Sequence, residues 1–170
     1  ELPNIEYAYD KADLKPESTV SLDGLVKTLN DNPNITIEMR AHTDFRGNDD
    51  YNMTLSLARA KSCVDYLISK GIKPDRLTAK GFGETEPKTV TAQMAKQYPF
   101  LKVGDVLNEE YINKITDFGK KEICHQLNRR TEFSVVSTDY GYEEEVKKAA
   151  EEEAAKKGNA VIQHSDSDDF

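Results

Sequence analysis

The change of hydrophobic period between residues 35 and 69 constrains the fold more than any other feature of the sequence. Residues 35–42, ITIEMRAH, alternate apolar and polar side chains, which is the period of a half-buried strand. From Leu55 onward apolar residues recur every three or four positions, as on the buried face of a helix, and Gly71 is well placed to end that helix. The segment therefore predicts a strand followed by a helix over residues 55–69.

The alternation also assigns the side chains of this strand to two faces. Ile37 and Met39 fall on the face predicted to be buried, whereas Arg40 and His42 fall on the opposite, polar face. We therefore expect His42 to face solvent or to brace the loop that follows it. A catalytic or metal-binding histidine is the alternative interpretation.

The rest of the pattern predicts an α+β domain. A first helix begins near Pro16 and buries one face of leucines before the turn-forming run NDNPN. Residues 89–122 are an irregular insertion with a short helix near residues 108–117. Three further strands are predicted over residues 5–9, 76–81 and 128–138. The order is β-α-β-α-β-insertion-β, which indicates one mixed four-stranded sheet with helices packed on one face.

The acidic character of the chain is concentrated at its C-terminal end. The 170 residues carry a net charge of −8, and residues 143–170 hold nine acids and four lysines, which leaves −3 for the rest. The repeated Glu and Lys at i, i+4 spacing favour a solvated helix. Residues 141–170 are therefore predicted to be a charged low-complexity tail, helical or disordered. The lack of excess Lys and Arg argues against nucleic-acid binding.

Several other classes of protein are disfavoured. No run approaches the roughly 20 apolar residues that cross a bilayer, so no membrane span is predicted in this fragment. The start ELPNIEY, without Met or a leader, is expected of an excised or mature fragment. Two cysteines are too few for a disulfide framework. Cys63 is expected to be a small buried hydrophobic residue. A Cys63–Cys124 disulfide and a zinc site at Cys124 and His125 remain alternatives. No cofactor is predicted.

The loop between the strand and the second helix is dense in charge. Asp44, Arg46, Asp49 and Asp50 fall within seven residues. Loop carboxylates invite comparison with a glycosidase, but that chemistry needs two carboxyl groups held at a defined separation. The sequence offers no arrangement of nucleophile and base, so we predict a chain that is not an enzyme.

A set of motif residues runs through the chain in a fixed order: His42, Thr43, Asp44, Gly47, Asn52, Leu55, Ser56, Arg59, Ala60, Gly81, Gly83, Glu84, Pro87, Asn128, Arg129 and Arg130. These motifs resemble the C-terminal, peptidoglycan-binding domain of the outer-membrane protein A family. The resemblance covers residues 5–138 and implies a domain over residues 1–140, with residues 89–122 as its insertion. Ala41 replaces the glycine usual in the family before the histidine. The insertion and the run NRRTEF are similar to the Bacteroidota branch, which includes a lipoprotein of the type IX secretion system.

This resemblance implies a ligand and a set of contacts. The ligand is the peptidoglycan stem peptide, in particular the amino acid zwitterion at the end of meso-diaminopimelate. Asp44 would accept its ammonium, Arg59 would hold its carboxylate through two donors, and Arg129 would be a second cationic contact. If Ser56 capped the second helix, Arg59 would lie in the first turn, where free N–H groups favour anions. The other predicted ligand-binding residues are Thr43, Phe45, Gly47 and Asn52. Of these, Asn52 and the backbone from Phe45 to Gly47 would shape the loop.

Other interpretations of the same residues remain open. Asp44 and Arg59 could form a structural salt bridge, because most charge pairs are structural. A peptidoglycan-cleaving hydrolase using the loop carboxylates, or a protein scaffold without ligand, would also account for the sequence. The resemblance implies a periplasmic location, with attachment to the outer membrane through a region outside this fragment. Outer-membrane or secretion-system proteins are expected as further partners.

Overall fold

The computed structural model describes residue 14 and residues 18–165, with the backbone alone for residues 158–165. The predicted strand over residues 5–9 lies outside the described residues. The elements are α1 (Thr19–Asp31), β1 (Thr36–His42), α2 (Asp49–Ser69), a 3₁₀ turn (Pro74–Arg76), β2 (Leu77–Gly83), α3 (Ala92–Gln97), α4 (Glu109–Asn113), α5 (Phe118–Asn128), β3 (Arg130–Ser137) and α6 (Tyr142–Ser165).

The described sheet has three strands in the order β2-β1-β3. β1 pairs in parallel with β2 and antiparallel with β3, so the sheet is mixed. The parallel pair needs a crossover, and α2 provides it by packing across β1 and β2. The predicted α+β class is confirmed, although the described residues hold three of the four predicted strands.

One face of the sheet carries the main core. Leu22, Leu25 and Leu29 of α1 pack against Ile37 and Met39 of β1, and all five side chains are at most 3 % exposed. The helical period of the leucines and the alternation of β1 therefore predicted the same buried layer. Residues of α2 complete it, among them Ala60, Cys63 and Leu67.

The helix α2 begins earlier than the sequence pattern predicts. It starts at Asp49, not near Leu55, because the Asn48 side chain caps it by accepting a hydrogen bond from the Tyr51 N–H. Asp49 and Asp50 lie in its first turn, where acidic side chains favour the helix N-terminus. Ser56 is thus in the middle of the helix, so the condition that it caps the helix is not met.

The opposite face of the sheet is covered by charged and aromatic side chains. His42 stacks on Phe82 with ring centroids 5.0 Å apart and is only 3 % exposed. Arg130 Nε donates to Glu132 Oε1 at 2.7 Å, and Lys88 Nζ donates to the same oxygen at 3.2 Å. The expectation of a solvent-facing His42 is wrong, because side chains from β2, β3 and residue 88 cover it. Burial, reinforced by Arg130, lowers the pKa of His42 to about 4.

The insertion forms a second, smaller core. Residues 89–122 hold α3, α4 and the start of α5, where the sequence suggested one short helix. The last predicted strand is shorter than expected, because Asn128 ends α5 and β3 begins at Arg130. The second core buries Val90, Met94, Leu101, Leu107, Ile112 and Cys124, and Phe45 from the loop after β1 packs against it.

Several remaining expectations concern single features. Cys63 and Cys124 are both buried, and they form no disulfide with each other. Tyr140 lies between β3 and α6. Its backbone N–H donates to the Asn34 carbonyl, and Asn34 Nδ2 donates to the Tyr140 carbonyl. Side chains over residues 143–157 are exposed. The boundary of the tail at residue 141 stays a prediction. In the part of the chain that the structure describes, every helix is too short or too polar to cross a membrane.

Candidate functional site

The loop that follows β1 holds a carboxylate between two arginines. Asp44 lies two residues beyond the end of β1, and its side chain is 9 % exposed. Its Oδ2 accepts hydrogen bonds from Arg46 Nη2 at 2.9 Å and from Arg129 Nη1 at 2.7 Å. Its Oδ1 accepts one from the Arg46 backbone N–H at 2.9 Å. A carboxylate offers about four acceptor positions, so the donors among the described residues leave about one open.

Arg129 reaches this carboxylate from a distant part of the chain. It lies between α5 and β3, and the next residue, Arg130, pairs with His42 at the end of β1. This antiparallel pairing places the start of β3 beside the end of β1, so two residues 85 positions apart meet. The Arg129 side chain is 39 % exposed, so part of its guanidinium faces solvent.

The insertion supplies another side of the site. Arg46 Nη1 donates to Glu122 Oε1 of α5 at 2.8 Å, so one guanidinium bridges Glu122 and Asp44. Phe45 packs edge-on against His125, also of α5, with ring centroids 5.0 Å apart. Burial, helped by the charge of Arg46, lowers the pKa of His125. A row of side chains that alternate in sign results, which we call the four-charge row: Glu122, Arg46, Asp44 and Arg129.

The loop is held in shape by residues that the sequence singled out. Thr43 is 7 % exposed, and its Oγ1 donates to the Asp44 carbonyl at 2.9 Å. Gly47 has φ +93°, a left-handed conformation that favours glycine. Asn52, 6 % exposed, donates from Nδ2 to the Arg46 carbonyl at 3.0 Å. These contacts fix the backbone on both sides of the carboxylate.

The helix α2 packs closely against the end of β2, next to the start of the loop at Thr43. The Gly83 N–H donates to Ser56 Oγ at 2.9 Å, and the Thr43 N–H donates to the Gly83 carbonyl at 2.8 Å. A Cβ on Gly81 would lie 2.3 Å from the Leu57 nitrogen and 2.5 Å from Ser56 Oγ. Glycine at position 81 therefore lets the helix backbone contact the strand directly, and Ser56 has a role in packing instead of capping.

Arg59 lies farther along α2 than the other predicted contacts. It is seven residues after Asn52, which is about 10.5 Å along the axis and close to the same face of the helix. The Cα–Cβ bond of a helical residue is tilted toward the N-terminus of its helix, which for Arg59 is the end of α2 that carries Asn52. The predicted location in the first turn is wrong, because α2 begins at Asp49.

The charges around the loop change the proton affinity of two carboxyl groups. Burial alone would raise the pKa of Asp44, but the hydrogen bonds from Arg46 and Arg129 outweigh it and hold that pKa below its ordinary value. Glu84 follows β2, and burial together with a hydrogen bond and repulsion from Asp49 raises its pKa to about 7. Asp44 therefore stays ionised near neutral pH, whereas Glu84 is partly protonated.

Sequence reasoning identified most of these residues but missed part of the network. The structure brings six predicted residues together around one loop: Thr43, Asp44, Phe45, Gly47, Asn52 and Arg129. It places Arg46 on Asp44, whereas the sequence marked Arg46 only as a loop charge. Glu122 was missed entirely, because no sequence motif connects residues 76 positions apart.

Comparison with known proteins gives a family match over the part of the chain that holds this loop. The model of the OmpA family matches residues 6–98. Outer membrane protein A of Escherichia fergusonii is 43 % identical over 88 residues, which is 51 % of this chain and 36 % of that protein. The chain therefore spans about a third of the length of that relative.

Comparison with solved structures shows the same fold. The peptidoglycan-associated lipoprotein from Burkholderia pseudomallei has a TM-score of 0.51 at 17 % identity, covering 78 % of this chain and 86 % of that one. The cell wall anchor of the T6SS from Pseudomonas aeruginosa has a TM-score of 0.52 at 22 % identity, covering 76 % and 73 %. At these identities the similarity concerns the fold.

Proposed function

Since the chain belongs to the OmpA family, we propose that it is a non-catalytic module that binds peptidoglycan and anchors an outer-membrane protein or complex to the cell wall. Two proteins of the same fold carry names that point the same way, one peptidoglycan-associated and one a cell wall anchor. The proposed location is the periplasm, with attachment to the outer membrane through a region outside residues 1–170. A type IX secretion assembly is the specific candidate, on the similarity of the insertion to the Bacteroidota branch.

The buried, ionised Asp44 beside a partly exposed guanidinium is the observation that carries this proposal. An amino acid zwitterion presents an ammonium and a carboxylate on one carbon, and it needs an anion and a cation a few ångströms apart. Asp44 Oδ2 and Arg129 Nη1 are 2.7 Å apart. The Asp44 side chain is 9 % exposed and the Arg129 side chain 39 %. A buried carboxylate that is kept ionised is suited to an ammonium group.

The proposed ligand is the meso-diaminopimelate of the stem peptide. Asp44 accepts its ammonium, while Arg59 holds its carboxylate, assisted by the solvent-facing part of Arg129. Thr43, Phe45, Gly47 and Asn52 keep the loop in the conformation that presents Asp44. Charge-assisted pairs of this kind are about twice as strong as neutral hydrogen bonds.

Purified sacculi test the proposal directly. The full chain should sediment with sacculi, and Asp44→Ala and Arg59→Ala should each lose most of that binding while retaining the far-UV circular dichroism of the wild type. Removing one partner of an enclosed charge pair costs roughly 2 to 5 kcal/mol, or about 30-fold and more in affinity. Lys27→Ala is a matched control, since Lys27 pairs with Asp31 on the exposed surface of α1. Undiminished binding by both site variants would refute the assignment.

The alternative is a peptidoglycan-cleaving enzyme that uses loop carboxylates. Burial and repulsion from Asp49 raise the pKa of Glu84, and in such an enzyme Glu84 would be the candidate general acid. The two functions separate in the same sacculus assay, because an enzyme releases soluble fragments and a binding module does not. Release that disappears in Glu84→Gln would favour the enzyme.

A further inference from the structure

The ligand site contains cations of its own. Arg46 and Arg129 both donate to Asp44 Oδ2, at 2.9 and 2.7 Å. A ligand ammonium would be a third cation at one carboxylate. Like charges repel in this partly buried environment, so one resident guanidinium must loosen its hold when the ammonium arrives.

The contacts of the two arginines indicate which of them yields. Arg46 has a second carboxylate partner, Glu122 at 2.8 Å, whereas Asp44 is the carboxylate that Arg129 contacts among the described residues. Arg46 can leave Asp44 and remain paired. Its side chain is also the more exposed of the two, at 45 % against 39 %, so it has more room to move into solvent.

We propose that Glu122 of the insertion is a positioning residue that tunes ligand affinity by drawing Arg46 away from Asp44. This inference rests on the proposed function, because it assigns the regulation of the same site. After the exchange the Glu122–Arg46 pair persists, and Asp44 holds the ligand ammonium. The ligand carboxylate pairs with Arg59 and Arg129, so no charge of the four-charge row loses its partner.

Three variants test this mechanism: Glu122→Gln, Arg46→Gln and the double variant. The probe is the tripeptide L-alanyl-γ-D-glutamyl-meso-diaminopimelate, titrated calorimetrically into the full chain. Without Glu122, Arg46 depends on Asp44 alone, and the tripeptide should bind about 2- to 5-fold more weakly, the range of a partly exposed ion pair. Arg46→Gln removes the competitor, so the tripeptide should bind more tightly by a similar factor.

The double variant separates positioning from direct contact. If Glu122 acts through Arg46, Glu122→Gln should change nothing in the Arg46→Gln background. Glu110→Gln is the matched control, because Glu110 is an insertion carboxylate paired with Lys114 and both side chains are at least 75 % exposed. It should leave affinity unchanged.

The possible failures are distinguishable. Equal weakening by Glu122→Gln in both backgrounds would overturn the inference, since Glu122 would then act without Arg46. Weaker binding by Arg46→Gln would also overturn it, because Arg46 would then be a ligand contact. A wild type that binds the tripeptide while Glu122→Gln has no effect refutes this inference alone. A wild type that binds neither tripeptide nor sacculi refutes the proposed function and this inference together.

Discussion

Two glycine-to-alanine substitutions should change stability in opposite directions. At Gly81, a Cβ would lie 2.3 Å from the Leu57 nitrogen and 2.7 Å from the Leu57 Cα, both backbone atoms of α2. A helix backbone cannot move aside as a flexible side chain can, so α2 must shift away from β2. Overpacking typically costs about 1 to 3 kcal/mol, and we expect Gly81→Ala to reach or exceed the upper end.

The matched control is the same substitution in α1. Gly24 lies inside α1, is exposed, and a Cβ there would meet no atom within 4 Å. Alanine loses less backbone entropy than glycine in a helix, so Gly24→Ala should stabilise the protein by about 0.5 to 1 kcal/mol. The two variants should therefore differ by about 4 kcal/mol.

Chemical denaturation with urea measures both values from the midpoints and slopes. Thermal unfolding gives a second reading, at roughly 2 to 8 °C for each kcal/mol. Gly81→Ala should lower the Tm clearly and Gly24→Ala should raise it slightly. If Gly81→Ala is as stable as the wild type, α2 does not contact β2 as closely as described, and the explanation for the glycine is wrong.

Two further predictions concern His42 and the tail. Since the pKa of His42 falls from 6.5 to about 4 on folding, the unfolded chain binds the extra proton, and stability falls as pH drops from about 6.5 toward 4. Relative to His42→Leu, the wild type should lose about 2 kcal/mol between pH 7 and pH 5 in urea titrations, and parallel curves would contradict this. Deleting residues 143–170 should leave the Tm nearly unchanged. The side chains of residues 143–157 are exposed, and i, i+4 pairs contribute only about 0.2 to 0.5 kcal/mol each. A large decrease in Tm would show that α6 stabilises the domain.

Other titrating groups also affect the pH dependence of stability near the His42 transition. Glu132 has its pKa lowered to about 2, so its contribution to stability is lost only well below pH 5. Glu84, with its pKa raised to about 7, changes stability in the opposite direction over the same window, and His125 in the same direction. Glu84 and His125 are present in both the wild type and His42→Leu. Their contributions to the pH dependence therefore cancel when the two proteins are compared.

Local periodicity was sufficient to predict the main core. The leucines of α1 and the alternation in β1 each identify a buried face without knowledge of the partner. The start of α2 was missed because Asn48, Asp49 and Asp50 are typical of loops and equally typical of a helix N-terminus. Only the capping geometry distinguishes these cases.

Features that depend on distant residues could not be predicted in the same way. The burial of His42 depends on Phe82 and on the ion pairs of β3, none of which the alternation within β1 reveals. The insertion has no regular hydrophobic period, because its short helices and loops contribute one or two side chains each to the second core. Glu122 lies at the site because it is carried by α5, which packs into the second core through Cys124.

The proposed function depends on recognition of a zwitterion, and a comparison of two tripeptides tests that recognition. Stem peptides with lysine in place of meso-diaminopimelate lack the distal carboxylate but keep the ammonium. By titration calorimetry, the wild type should bind the diaminopimelate tripeptide about 30-fold or more tightly than the lysine tripeptide. Because Arg129 also contacts the distal carboxylate, Arg59→Ala should keep only a small preference for the diaminopimelate tripeptide. Equal binding of the two tripeptides by the wild type would contradict the account, even if the protein sediments with sacculi.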